Sequence, residues 1–222
     1  MAKSHQLHFQ DSTTLYSQPL QLVFINVWGP SPVPASNGAC YYISFLNAYS
    51  KYVQFYLLHT KSQVQIVFKS FKLYCEKKTG FQIQSIQIDN AKEFLCLKSY
   101  LANHGIKHGL ICPHTHEKNS SIERKHRHIV DMGLALLARA SLPLTFWEEV
   151  FTTAATIINV LPSTNINYNN PYQLLFNRTP DYQFFKTFGC ACYPLLRPYK
   201  KLSLLLDLLS VCFLDTIPLK EL

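Results

Sequence analysis

The sequence predicts an α/β fold built on a mixed five-stranded sheet with flanking helices. Three observations predict it. Three short apolar runs within the first sixty residues are joined by short connections, as in a meander. A helical pattern then leads into a fourth apolar run, as a crossover to a parallel strand requires. Two further helical segments follow, one of them amphipathic and long enough to cover a sheet face.

Residues 1–16 are polar and show no period, so the core is expected over about 17–162. Leu22 to Trp28 is an unbroken apolar run around Asn26 and ends at Gly29-Pro30, the pattern of a buried strand. Tyr41 to Asn47 and Tyr52 to Leu58 are two more strands across the turn Ala48-Tyr49-Ser50-Lys51. Thr60-Lys61-Ser62-Gln63 has capping-box spacing. Behind it Val64, Val67, Phe68, Phe71, Tyr74 and Cys75 recur at helical spacing, and Gly80 stops the helix. Ile83 to Asp89 alternates as a fourth strand. A short helix near Leu95 to Asn103 and a short strand near Lys107 to Ile111 come next, then a polar loop from Pro113 to Ser120. Ile122 to Ala140 is a long helix whose buried stripe is Ile122, His126, Ile129, Val130, Gly133, Leu136, Leu137 and Ala140. Glu123, Arg124, Arg127 and Asp131 fall largely on its other side. A second capping box, Thr145-Phe146-Trp147-Glu148, opens a last helix that runs to about Leu161 and is closed by Pro162. The order β-β-β-α-β-α-β-α-α is that of the ribonuclease H-like fold. There the first and fourth strands lie side by side at the sheet centre, and a later helix can bring a carboxylate to their ends.

Composition narrows the function classes. Hydrophobic residues make up 48% of 222, which excludes disorder across the main body. A net charge of +8 favours an anionic partner such as nucleic acid over an acidic-substrate enzyme, although a merely basic soluble protein has the same balance. Seven cysteines, an odd number without Cys-x-x-Cys spacing, argue against a disulfide framework and for an intracellular, reducing compartment. The start Met1-Ala2-Lys3-Ser4-His5-Gln6 lacks an apolar signal region, so secretion is not expected. The run Leu202 to Leu214 contains Asp207 and is too short to span a bilayer, so no membrane partner is expected. Gly-rich phosphate loops and Gly-x-Ser-x-Gly elbows are absent from the sequence.

Two carboxylates carry the chemical reading. Asp89 ends the fourth strand, and Glu123 opens the basic helix Glu123-Arg124-Lys125-His126-Arg127-His128. Placed this way, they can share divalent metal ions beside a nucleic-acid backbone. A two-metal site usually wants a third carboxylate, and its best place, the first strand, holds Asn26. Plainer readings stand beside this one. Asp89 also suits a turn aspartate bonded to its own backbone. Glu123 also suits a first-turn glutamate stabilised by the helix dipole. The basic run can be a solvated helix face, or Arg124, Lys125 and Arg127 can neutralise phosphates beside the metals. His104, His108, His114, His116, His126, His128 and Cys112 match no standard zinc spacing. Cys190-Ala191-Cys192 fits an alternating strand better than a metal clip.

At this point the residues resemble a known family. Leu22 to Pro30, Tyr42 to Tyr52, Asp89-Asn90-Ala91-Lys92-Glu93-Phe94, His104 to His108, Asn119 to Val130, Leu142-Pro143, Phe146-Trp147-Glu148 and Asn170-Pro171-Tyr172 resemble the integrase core of a plant copia-type retrotransposon polyprotein. Phe188 to Pro194 resembles the start of the SH3-like module that follows such cores. The resemblance implies DNA integration by polynucleotidyl transfer. Mg2+ or Mn2+ would be held by Asp, Asp and Glu while a water or 3′ hydroxyl attacks a phosphodiester in line. It implies Asp89 and Glu123 as catalytic and metal-holding residues, with Asn26 a degenerate first position. It implies non-specific DNA contacts from Lys118, Asn119, Arg124, Lys125, Arg127 and His128, and a nuclear site of action, and it leaves a homodimer open. It divides the chain into 1–16, a remnant of an upstream zinc-binding module, the core at 17–162, and 163–222, a linker with a partial SH3-like C-terminal extension.

The departures from the family are as informative. Asn26 offers a neutral oxygen where the family has a charged one. Asn47-Ala48 replaces an acidic pair, Ala91-Lys92 a Gly-Gly pair, and Ser120 a glycine. The stretch between Asp89 and Glu123 is about two residues short, and two residues turn a helix by about 200°. Asp215 stands where a glycine is expected. The chain has the marks of an eroded, truncated copy with impaired catalysis. The other reading is a non-catalytic nucleic-acid-binding or protein-interaction module derived from a transposon.

Overall fold

The computed structural model describes residues 16–88, 92–110 and 120–190. Strands β1 (Val23–Trp28), β2 (Tyr41–Asn47) and β3 (Val53–Leu58) form the expected antiparallel meander. A 3-10 turn at Lys61–Gln63 leads into α1 (Val64–Thr79). Here the first capping box forms, with Gln63 Oε1 accepting the Thr60 N–H at 3.2 Å. Gly80 ends α1 at φ +75°, a left-handed position that glycine takes without steric cost. The chain crosses over to β4 (Ser85–Ile88), which runs parallel to β1, and a 3-10 stretch, Lys92–Leu97, leads to α2 (Lys98–Asn103). β5 (Lys107–Leu110) then joins β4 in parallel. The sheet order is β3-β2-β1-β4-β5, which puts β1 at the centre beside β4.

Strand alternation builds one core on each face of the sheet. Val23, Ile25, Ile43, Phe45, Ile86 and Ile88 pack with Phe68 and Phe71 of α1, Leu97 of the 3-10 stretch and Leu101 of α2. Phe24, Tyr42, Leu46 and Val53 point the other way, against α3 (Ser120–Ala140) and α4 (Trp147–Val160). The predicted stripe of α3 is buried at Ile122, Ile129 and Leu137, while Val130 and Leu136 pack against it half-buried. The opposite residues Glu123, Arg124, Arg127 and Asp131 are exposed. Gly133 lets α4 approach closely: an added Cβ there would stand 2.5 Å from Phe151 Cδ1 and 2.8 Å from Val150 Cγ1.

The second capping box does not form. The chain enters α4 through a 3-10 turn, Leu144–Phe146, without a side-chain cap. Glu148 Oε1 instead accepts the Ser36 hydroxyl at 2.9 Å, from a loop more than a hundred residues earlier. Near the other end of α4, Asn159 reaches β3. Its Oδ1 accepts the Val53 N–H at 2.9 Å, and its Nδ2 donates to the Val53 carbonyl at 2.7 Å. Beyond α4, α5 (Pro171–Phe176) and residues to 190 pack back on the core. The Phe176 and Tyr52 rings lie 5.3 Å apart, and the Tyr182 hydroxyl donates to the Val160 carbonyl at 3.1 Å. The expected remnant at 1–16, save Tyr16, and the part of the expected SH3-like segment from 191 on lie outside the described residues. None of the described helices is long and apolar enough to cross a membrane.

Candidate functional site

Asn26 lies in the second half of the central strand, half-buried. Val23 and Ile25 face α1, so alternation turns Asn26, with Phe24 and Trp28, to the face that α3 and α4 cover. Its partner across β2 is Ser44, a buried residue whose hydroxyl has no hydrogen-bond partner among the described residues. Two polar side chains thus sit side by side on neighbouring strands. Ile88, the last residue of β4, is buried on the α1 side. Asp89, Lys118 and Asn119 lie outside the described residues.

Helix α3 packs on this face of the sheet. Its fourth residue, Glu123, is exposed in the first turn, and three residues on His126 enters an aromatic stack. The His126 ring lies 5.7 Å from that of Tyr42 and 6.1 Å from that of Trp28. Trp28 and Tyr42 stack at 5.2 Å, and Trp147 meets Trp28 edge-on at 6.2 Å. Burial, then the Arg127 charge, lowers the His126 pKa, and Glu123 opposes them. His126 Nε2 and the Tyr42 hydroxyl are both buried with no partner among the described residues. The stack fixes α3 on the sheet face that carries Asn26.

The basic run divides between two sides of the helix. Glu123 and Arg127, four residues apart, share one exposed side. Lys125 and His128, three apart, share another, where with Ser121 and Arg124 they line a cavity of about 290 Å³. Leu46 and Lys51 of the β2 end and turn line it too, as do Ile158, Leu161, Pro162, Ser163 and Asn165. Burial, then the Lys51 charge, pushes the Lys125 ammonium down to about 8. Burial, then Arg124, lowers Lys51. His128 is lowered by burial and Lys125, against a small opposing pull from Asp131. Sequence reasoning singled out Lys125 and His128 but missed Lys51, Ser163 and Asn165. Only the fold brings that turn and that segment beside α3.

The donor set decides what metal chemistry fits. Among the described residues, the site holds one carboxylate, Glu123, and one neutral amide, Asn26. None of the described residues forms a group of three or more His, Cys, Asp or Glu that could hold a metal ion. A two-metal centre needs anionic oxygens to offset its charge. Glu123 and Asn26 alone do not meet that need, and Asp89 lies outside the described residues.

No family model matches the chain. The retrovirus-related Pol polyprotein from transposon RE2 of Arabidopsis thaliana is 43% identical over 199 residues, 90% of this chain. The corresponding polyprotein from transposon TNT 1-94 of Nicotiana tabacum is 33% identical over 193 residues, 86% of this chain. The chain spans 14% of the length of each. The HTLV-2 integrase catalytic core domain, solved in complex with magnesium in a trimeric form, matches with a TM-score of 0.52 over 71% of this chain and 97% of that one. At 16% identity the likeness to it is one of fold.

Proposed function

The chain belongs to the family of the Pol polyproteins of plant copia-type retrotransposons, and from that premise we propose that it is an integrase core that binds DNA but is impaired in strand transfer. One observation carries the reading. Asn26 occupies the central strand on the face that α3 covers, and Glu123 is exposed in the first turn of that helix. Asp89 follows directly on β4, the neighbour of β1, and in this reading supplies the second carboxylate. Arg127 and Arg124 would meet phosphates along the exposed side of α3, positioning DNA without reading its sequence. The missing charge at Asn26 is the lesion. Losing several kcal/mol of transition-state stabilisation slows a reaction on the order of a thousandfold.

Repairing that charge is the test. Asn26→Asp is expected to give a manganese-dependent rise in melting temperature that the parent lacks, because a ligand held only by the folded state stabilises it. Strand transfer is expected to stay near background, because the short segment before Glu123 still misplaces the reacting groups, and small misplacements are costly. Melting in a manganese titration and a strand-transfer assay check the two halves. A variant indifferent to manganese removes Asn26 from the site. Full strand transfer by the unaltered chain refutes the impairment.

A further inference from the structure

We propose that the cavity between α3, the β2–β3 turn and the segment after α4 is a phosphate-binding pocket, distinct from the Glu123 side of the helix. The argument starts from charge. Lys51 comes from the turn, and Lys125, His128 and Arg124 from the helix, so cations from two elements converge on one space. Among the described residues its lining contains no carboxylate. Leu46, Ile158, Leu161 and Pro162 supply an apolar wall, which weakens solvent screening and strengthens any charge contact made there. Ser121, Ser163 and Asn165 add neutral donors around the rim. Cations gathered beside an apolar wall repel one another, and an anion entering between them reverses the sign of that interaction.

The turn holds its lysine firmly. The Lys51 N–H donates to the Asn47 carbonyl at 3.0 Å, and Asn47 Oδ1 accepts the Tyr49 and Ser50 N–H groups at 2.9 and 3.2 Å. Lys51 itself sits at φ +60°, a left-handed conformation that suits glycine or asparagine better than lysine. A residue less suited to its backbone thus carries the charge to the pocket. Two lysines match the double charge of a phosphate better than that of a single carboxylate, and a lysine binds phosphate as a point charge. About 290 Å³ lies near the lower end of the range for small-molecule sites, room for a phosphate group and what it is attached to. That phosphate belongs either to a nucleic-acid backbone or to a small phosphorylated molecule. The pocket does not depend on Asn26 or Glu123, and it shares only Arg124 with the proposed DNA-contacting side of α3, so Lys51 and Lys125 carry its test.

Calorimetric titration of the full chain with inorganic pyrophosphate tests it. The parent is expected to bind one equivalent saturably. Lys51→Asn removes the charge yet suits the positive φ, and is expected to weaken binding about tenfold, the loss of one charge-assisted contact. Lys51→Arg is expected to retain binding, and Lys77→Gln, in the last turn of α1, to leave it unchanged. Lys125→Gln tests the pocket from its second element and is expected to match Lys51→Asn. A labelled duplex separates the sources. Displacement by pyrophosphate, with weaker duplex binding by Lys51→Asn, assigns a backbone phosphate. Duplex binding indifferent to both assigns a small phosphorylated molecule. Non-saturable pyrophosphate binding, or equal binding by Lys51→Asn and Lys125→Gln, overturns the proposal.

Discussion

An asparagine and an aspartate have nearly the same shape, so Asn26 fits its strand as an aspartate would and differs in charge alone. That is why its place was legible in the sequence: a polar residue inside Leu22 to Trp28 interrupts an otherwise apolar run. Glu123 was legible for a similar reason, since helix starts are set by nearby residues. Glu148 was not. Its spacing from Thr145 suggested a cap, but its partner is Ser36, which local pattern cannot reach. The same hydroxyl lies 3.0 Å from Glu149 Oε1. One hydroxyl hydrogen cannot serve two carboxylates at once. Burial, then the Glu149 charge, pushes Glu148 up to about 7 from its ordinary 4.5. The folded state therefore keeps a proton that the unfolded chain releases, and stability falls as pH rises from about 4.5 to 7. Glu148→Gln is expected to flatten this slope, raising stability at pH 8 by on the order of 1–3 kcal/mol and leaving it little changed near pH 4. Melting temperature against pH for both proteins checks it.

Elements were legible where a single period ran long enough. The meander, α1 and α3 each have a pattern set by one buried face, and their ends fall within a few residues of expectation. The short helix before β5 was harder, because its first half is a 3-10 stretch with no stable period. Pairing between elements was less visible still. Gly133 read as one more position of a buried stripe, yet it sets how closely α3 and α4 pack. Alanine there gains about 1 kcal/mol in helix propensity. Its methyl meets both the Phe151 ring and Val150, and overpacking costs about 1–3 kcal/mol. Both neighbours are wedged in the core, so the clash is expected to win. Gly133→Ala should lower the urea midpoint, and Gly133→Val should lower it further.

At the scale of the whole molecule, the net charge of +8 predicts an affinity for duplex DNA that depends on salt. With about three phosphates neutralised along α3, affinity is expected to fall about 40-fold between 50 and 200 mM salt. Anisotropy of a labelled duplex at the two concentrations measures this, and affinity indifferent to salt removes α3 from the contact. The sheet carries a further consequence. The Asn47 N–H donates to the Tyr52 carbonyl, so the next pair, Leu46 and Val53, turns its backbone groups outward. At Val53 these groups face the edge of β3, which α4 covers there. The Asn159 side chain already occupies them with the donor and acceptor a sixth strand would bring. A single primary amide thus does for Val53 what a neighbouring strand does for an interior residue. Asn159→Ala is expected to leave both Val53 groups buried and unpaired and to lower the melting temperature in a thermal melt against the parent.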